Sequence, residues 1–384
     1  RVQILRYMLK GLYEIDDHIL HYIFTCLQCA NCNYICDNFG SAVKITESIR
    51  DGRRILAEKI LKDDLKTPEA NFIRYVLSTI LNNVKIAGDP TGTKRVYWND
   101  WALSINLPSK GSMFILTSRM YQMTPYLVQI TRLMEQAKGL LEKGFLGRLL
   151  KRGTGLGVRV AGLMADKELR ERSNNVLKGI ALALRKAGHE ISYLYDKEPY
   201  SGTLLHDLGL DESLMEHIER VKKVFNENGV KKVITVDPHT HYMLEDVYPK
   251  YGLEVDTVHY IELLKDSSIY KKKLDGRYVI HDPCTMARRL NMIDAPRSLA
   301  ENIGIELVEP RNTKMETKCC GGPIEYAYPQ YTKRIAEKRI EELSKASDKV
   351  LSYCPICWVN LGKQGKALNV EVLDLGEMIF KALT

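Results

Sequence analysis

The sequence lacks any long apolar run. Its longest strand-like stretches are four to six residues, far short of the roughly 18 needed to cross a bilayer. No membrane span is expected, and no cleavable signal pattern at the start. Charge of one sign does not dominate: 56 Lys and Arg stand against 48 Asp and Glu, a net +8. The basic residues are spread along the chain rather than gathered in a block, which describes solvated helix faces, so no nucleic-acid partner is expected. Hydrophobic residues at 45% and charged residues at 27% exclude a disordered chain, a collagen-like fibre and a coiled-coil rod. At roughly 150 residues per domain, the 384 residues make two or three domains. Cysteine is scarce too. Nine is too few for a disulfide scaffold and is odd in number, and none lies between Cys36 and Cys284.

Where the cysteines do occur is informative. The first set, Cys26, Cys29, Cys32 and Cys36, lies in the run CLQCANCNYIC and reads C-x2-C-x2-C-x3-C. Short spacers let successive thiolates curl around one compact group, and this is the bacterial-ferredoxin spacing for a [4Fe–4S] cubane. Zinc is the alternative, because C-x2-C also opens many zinc sites, but a run of such steps is unusual for it. Asp37 stands where a proline usually follows. In two-cluster ferredoxins the fourth cysteine of each run ligates the other cluster. Either Cys36 closes its own cluster, or the cluster has three irons, or Cys36 faces a second cluster whose motif lies outside the chain as given, which is the favoured expectation. The sequence begins at Arg1, directly in a helical pattern (RVQILRYMLKGLYEI).

The second set is Cys284, the vicinal pair Cys319 and Cys320 followed by Gly321 and Gly322, then Cys354 and Cys357. Vicinal cysteines do not comfortably grip one small ion in tetrahedral geometry; they suit a larger cluster. The glycine pair permits positive φ and close backbone approach. Cys284 follows the strand-like YVIHDP and Cys354 follows KVLSY. Both are expected at the carboxyl ends of strands, where open α/β sheets build their sites.

HDPC at 281–284, KCCGGP at 318–323 and YCPIC at 353–357 resemble the ligand motifs of the CCG domain (cysteine-rich domain) of heterodisulfide reductase and its relatives. The resemblance implies that Cys284, Cys319, Cys320, Cys354 and Cys357 hold a noncubane [4Fe–4S] cluster and form the catalytic site. Zinc is the less favoured occupant. Thr285 stands where the family often has His, which removes a proton-transfer role there. RVQILRYMLKGL resembles the helix that joins two clusters in the family's iron–sulfur domain.

Residues 1–86 show period-3.6 apolar spacing and read as helices; 87–110, with Gly, Asp, Pro, Trp98 and Trp101, read as a linker. From about 111, short apolar runs alternate with helices: MFILT, VRVAGL, ISYLY, KVITVD, VDTVHY, YVIHDP, IELVEP, KVLSYC and VEVLDL. That alternation argues for parallel or mixed sheet with helices on its faces. The segment also repeats itself. KKVITVDPHTHYML at 231–244 parallels DKVLSYCPICWVNL at 348–361, and FILTSRMYQMTPYLVQI at 114–130 parallels YVIHDPCTMARRLNMID at 278–294. The expected architecture is an α-helical ferredoxin-like N-terminal domain, then α/β tandem CCG-type repeats with pseudo-two-fold symmetry: a degenerate half over 111–277 and an intact half over 278–384. In the degenerate half the ligand positions hold Arg119, Tyr200, Ser201, Asp237 and Thr240. Arg stays protonated and cannot bind iron, so that half should be cluster-free.

Other candidates are weaker. His206, His239 and His241 with Asp237 could form a replacement metal site, although pattern-only metal assignments often fail. Arg288 and Arg289 could bind an anionic substrate beside Cys284, or be one solvated and one paired helix residue. The G-T-G-L-G at 153–157 imitates a dinucleotide fingerprint but precedes its strand, and is discounted. Tyr121 and Tyr126 read as packing.

The resemblance implies an oxidoreductase subunit of a redox complex, passing electrons from a cubane to a noncubane site that reduces or forms a disulfide-type bond in a small molecule or protein. One alternative is an electron-relay iron–sulfur subunit of a flavin-dependent lactate, glycolate or glycerol-3-phosphate dehydrogenase. Another is a structural zinc adaptor. Partners would be other subunits, among them a membrane cytochrome or flavoprotein. Thiolate-held clusters imply a reducing cytoplasm.

Overall fold

In the computed structural model, residues 1–92, 97–128, 165–270 and 272–384 are described. The helices Val2–Leu9, Asp17–Phe24, Asn31–Asn38, Ile45–Leu61 and Pro68–Ala87 open the chain. Their starts follow local chemistry. Asp16 caps the second through the Ile19 N–H, and Thr67 caps the fifth, with Pro68 in its first turn. Gly88, at φ +75°, ends that helix. Ile73, Leu77, Ile80 and Val84 line its buried face at the expected three- and four-residue steps.

The strands then form two parallel sheets. Those of the first are β1 (Met113–Leu116), β2 (Ile191–Tyr193), β3 (Lys232–Thr235) and β4 (Asp256–His259). Those of the second are β5 (Arg277–Ile280), β6 (Glu306–Val308), β7 (Lys349–Ser352) and β8 (Glu371–Asp374). The orders are β2-β1-β3-β4 and β6-β5-β7-β8, so each sheet places its second strand outside its first. The expected strand VRVAGL and the G-T-G-L-G at 153–157 lie outside the described residues.

Both faces of the first sheet are buried, as parallel sheets require. Side chains alternate along a strand. Phe114, Leu116 and Val233 therefore face a core shared with the N-terminal helices, while Ile115 and Ile234 face one shared with Val279, Val350 and Leu351 of the second sheet. The segment 87–110, expected as a linker, includes buried residues among those described. It carries the helix Asp100–Ser104, and Trp101 is fully buried against Tyr193. Arg53, 1% exposed, donates to the carbonyls of Ile23, Phe24, Cys26 and Asp207. That ties the approach to the first cysteine set against the 203–210 region.

The helices Lys167–Lys186 and Leu375–Leu383 join the two sheet units. They meet where Gly179 faces Gly376. A Cβ on Gly179 would collide with the Gly376 carbonyl oxygen and sit 2.8 Å from Phe380 N. Arg172 closes the joint with hydrogen bonds to both Glu377 carboxylate oxygens. Tyr121 OH donates to the Asp374 carboxyl at 2.8 Å. Because backbone, not a flexible side chain, opposes the added methyl, Gly179→Ala should destabilise the chain by about 1–3 kcal/mol. A lower urea midpoint at unchanged slope would show this; an unchanged midpoint would contradict the joint.

Candidate metal centre

Strands β5 and β7 deliver the second cysteine set. Chain leaving β5 passes His281, Asp282 and Pro283 and enters the short helix Cys284–Arg288. Chain leaving β7 reaches Cys354 at the N-cap of the helix Pro355–Gly365, with Cys357 in its first turn. A helix N-terminus favours negative charge, and so favours thiolate. Cys319 and Cys320 lie in a loop that only glycine lets close. Gly321 has φ +87°, and a Cβ on Gly322 would run into Ile356. The Gly321 and Gly322 N–H groups donate to the Cys319 and Cys320 sulfurs at 3.4 and 3.5 Å.

All five cysteines are buried, none more than 8% exposed. Their thiols form a chain of neighbours, Cys284 to Cys319 to Cys320 to Cys357 to Cys354, with His239 against Cys354. The Cys319 hydrogen bond and burial push the Cys284 thiol well up. Hydrogen bonds from Cys319 and Cys357 bring Cys320 down. At Cys354 burial raises the thiol, but hydrogen bonds from Cys357 and His239 outweigh it and lower it. Among the described residues, no three His, Cys, Asp or Glu side chains converge tightly enough to hold a single metal ion. Five buried thiols in a chain of neighbours fit a group with several thiophilic metals better than one tetrahedral ion.

Asp282 organises the loops that carry these cysteines. Its carboxylate accepts from Arg297 at 2.9 and 3.0 Å, from the Tyr353 hydroxyl at 2.9 Å and from the Lys314 N–H at 2.7 Å. Its carbonyl accepts from the Thr317 hydroxyl at 2.8 Å. One residue thus ties the approach to Cys284 to the loop before Cys319 and to the neighbour of Cys354. Below it Arg339, 1% exposed, donates to His281 Nδ1 and the Asn312 carbonyl. The sequence marks Asp282 only by its place in HDPC and Tyr353 only by its place in YCPIC; Arg297 and Arg339 carry no local signal.

The first set sits on a loop and the helix after it. Cys26 is buried, and Cys29, Cys32 and Cys36 are partly so. Gln28 at φ +52° and Ala30 at +55° turn the chain between the cysteines. Non-glycine residues in this region are held there by their surroundings, often at functional sites. Cys32 and Cys36 are both on the helix Asn31–Asn38, one turn apart. Such residues share a helix face, so the helix itself supplies no reason for Cys36 to diverge from Cys32.

Arg288 and Arg289, the sequence candidates for substrate, are bonded to protein. Arg288 Nε donates to the Cys29 carbonyl at 2.6 Å, and its Nη1 donates to the carbonyls of Met315 and Thr317, each at 2.8 Å. Arg289 donates to the Gln28 carbonyl at 3.2 Å and the Tyr242 hydroxyl at 2.7 Å, and its guanidinium lies 4.6 Å from the Tyr242 ring centre. These bonds bring the two cysteine sets together across more than 250 residues of sequence.

In the first sheet unit the residues expected at the ligand positions are engaged with protein groups. Arg119 lies beyond β1, 3.7 Å from the Asp89 carboxylate, bonded to the Glu198 carbonyl and 5.5 Å from the Trp98 ring centre. Tyr200 OH accepts from the Leu204 N–H, Ser201 pairs with Thr203, and Asp237 caps a helix through the His239 and Thr240 N–H groups. Asp237-Pro238 begins that helix as Cys354-Pro355 begins its own. The three histidines do not converge as a replacement site. His206 pairs with Asp207, His241 with Thr235, and His239 with Cys354.

Asp282 supplies a direct check. Burial pushes its carboxyl up, but Arg297, the Lys314 N–H and Tyr353 hold it below its ordinary value. Its stabilisation is complete at neutral pH and is lost as pH falls through that depressed value. Breaking a buried pair costs about 3–5 kcal/mol; Arg297 keeps Glu309, so Asp282→Asn should fall at the lower end. Iron retained by the second cysteine set should drop while that of the first persists. Equal retention at both sets would contradict the role of Asp282.

The cysteine-rich domain family model, CCG, matches residues 278–362, the stretch that carries all five buried cysteines. The chain is 30% identical over 210 residues to the probable iron-sulfur-binding oxidoreductase FadF of Bacillus subtilis, covering 52% of this chain and 30% of that protein. It is 27% identical over 260 residues to a subunit of the dihydromethanophenazine:CoB–CoM heterodisulfide reductase of Methanosarcina acetivorans, covering 59% of this chain and 63% of that one. It is 29% identical over 115 residues to lactate utilization protein A of a Geobacillus strain, covering 28% of this chain and 46% of that one. The chain thus spans between about a third and two thirds of these relatives. With five thiols gathered at the strand ends of the matched region, the chain carries a CCG cysteine-rich domain, and its relatives are iron–sulfur oxidoreductases of the FadF and heterodisulfide reductase kind.

Proposed function

We propose that this chain is an electron-transfer iron–sulfur subunit in which Cys26, Cys29, Cys32 and Cys36 hold a cubane [4Fe–4S] cluster. Cys284, Cys319, Cys320, Cys354 and Cys357 hold a noncubane [4Fe–4S] cluster, where a disulfide-type bond is reduced or formed. The observation that carries this reading is the contact between the two cysteine sets, made by Arg288 on Cys29 and Arg289 on Gln28. Bound in these positions, iron–sulfur clusters supply one-electron transfer and a thiophilic metal. The chain's own residues hold the thiols, exclude water from them and place cations beside them. Reducing a disulfide takes two electrons and two protons and yields two thiols, so single-electron deliveries from the first site suit the second.

In this reading 1–86 is the cubane unit, 87–110 connects it, 111–277 is a cluster-free half and 278–384 its cluster-bearing counterpart about a pseudo-two-fold axis. The pairing of Arg119 with Asp89 supports the cluster-free reading of the first half, since Arg stays protonated and cannot bind iron. Partners are further redox subunits, one of them in or at a membrane, in a reducing cytoplasm. Among the described residues no helix is long and apolar enough to cross a membrane. A relay role without substrate chemistry is the second reading, favoured by the burial of all five second-set cysteines and by the similarity to lactate utilization protein A.

The two separate in one experiment. Dithionite-reduced protein, freed of excess reductant, is mixed anaerobically with disulfides of small thiols. Reoxidation of the visible spectrum with release of two thiols per disulfide supports substrate chemistry. A spectrum that stays reduced with every disulfide, yet reoxidises with a quinone or flavin acceptor, supports the relay.

A further inference from the structure

Arg288 lies one helical turn after Cys284 on the same short helix, so the two share a face. Its guanidinium reaches both cysteine sets. Nε holds the backbone of Cys29, while Nη1 holds Met315 and Thr317 on the approach to Cys319 and Cys320. Nη2 is buried and has no partner. A buried N–H left without an acceptor is costly, and Cys284 lies one turn back on the same helix face.

We propose that Arg288 is a positioning residue that couples the two cysteine sites. It fixes their separation through the Cys29 and Thr317 carbonyls and keeps its Nη2 group for sulfur charge, so that an electron added at one site is felt at the other. This rests on reading both sites as iron–sulfur centres. A planar fork is needed to meet three carbonyls at once; an ammonium carries the charge without the fork.

The test uses the full chain, loaded anaerobically with iron and sulfide and titrated with dithionite under electron paramagnetic resonance. Fully reduced wild type should show a spin–spin interaction absent from the sum of the singly reduced signals. Arg288→Gln, at unchanged iron content, should lose that interaction and shift both midpoint potentials downward, because reduction adds negative charge that the Arg288 cation no longer offsets. Arg288→Lys should recover the potentials but not the interaction. Arg288→Gln with full iron and wild-type spectra and potentials would overturn the proposal. Should Arg288→Gln fail to fold or load, Arg288→Lys carries the test, and an unchanged spin interaction in it is the refuting result. A wild-type chain that holds zinc and no iron would defeat the functional reading first, and this proposal with it; normal iron with indifferent variants defeats this proposal alone.

Discussion

A single buried carboxylate, that of Asp282, is the constraint on which the second cysteine set depends. The five thiols come from three loops that are distant in sequence, and thiols do not attract one another; packed together and ionised, they repel. Something else must hold the loops in place. Asp282 does so with Arg297, Tyr353, Lys314 and Thr317 as partners. Asn360 adds a bond to the Cys320 carbonyl from the helix that bears Cys357. Buried charges are expensive unless paired and fully bonded. Here the bonding is complete enough to hold the carboxylate ionised, and the cysteine loops are fixed relative to the strands before any metal is considered.

The rest of the molecule brings a second cysteine set to that frame. Arg53 anchors the chain just before Cys26, and Arg288 and Arg289 clasp the loop just after it. In each case an arginine donates to at least one main-chain carbonyl beside the cysteines, and in Arg53 and Arg288 the planar fork meets several carbonyls together. The first sheet unit keeps the strand order of the second, and in it Arg119 pairs with Asp89 and lies over the Trp98 ring. It buttresses the cysteine-bearing half through the Gly179–Gly376 helix crossing and lends it His239, which reaches Cys354.

The cysteines, the strands and the glycine pair were legible in the sequence because each depends on local spacing. C-x2-C turns, short apolar runs before HDPC and YCPIC, and Gly-Gly after a vicinal pair all act within a few residues. What escaped is long-range. Nothing in RR at 288–289 distinguishes a substrate clamp from a brace for Cys29, because the carbonyls it meets are about 260 residues away. Asp282 is one acidic residue among 48 Asp and Glu until Arg297 and Tyr353 are placed around it. Trp98 and Trp101 lie among turn residues that suggest a linker, yet tertiary packing buries both.

The central claim is that two iron–sulfur centres lie close together in this chain, one on each cysteine set, and none in the first sheet unit. Anomalous scattering collected at the iron edge from crystals grown without oxygen tests it most directly. The account predicts two compact groups of iron, one bonded to Cys26, Cys29, Cys32 and Cys36, the other to Cys284, Cys319, Cys320, Cys354 and Cys357. Iron beside Arg119 or Asp237, or a lone zinc among Cys284, Cys319, Cys320, Cys354 and Cys357, would contradict it.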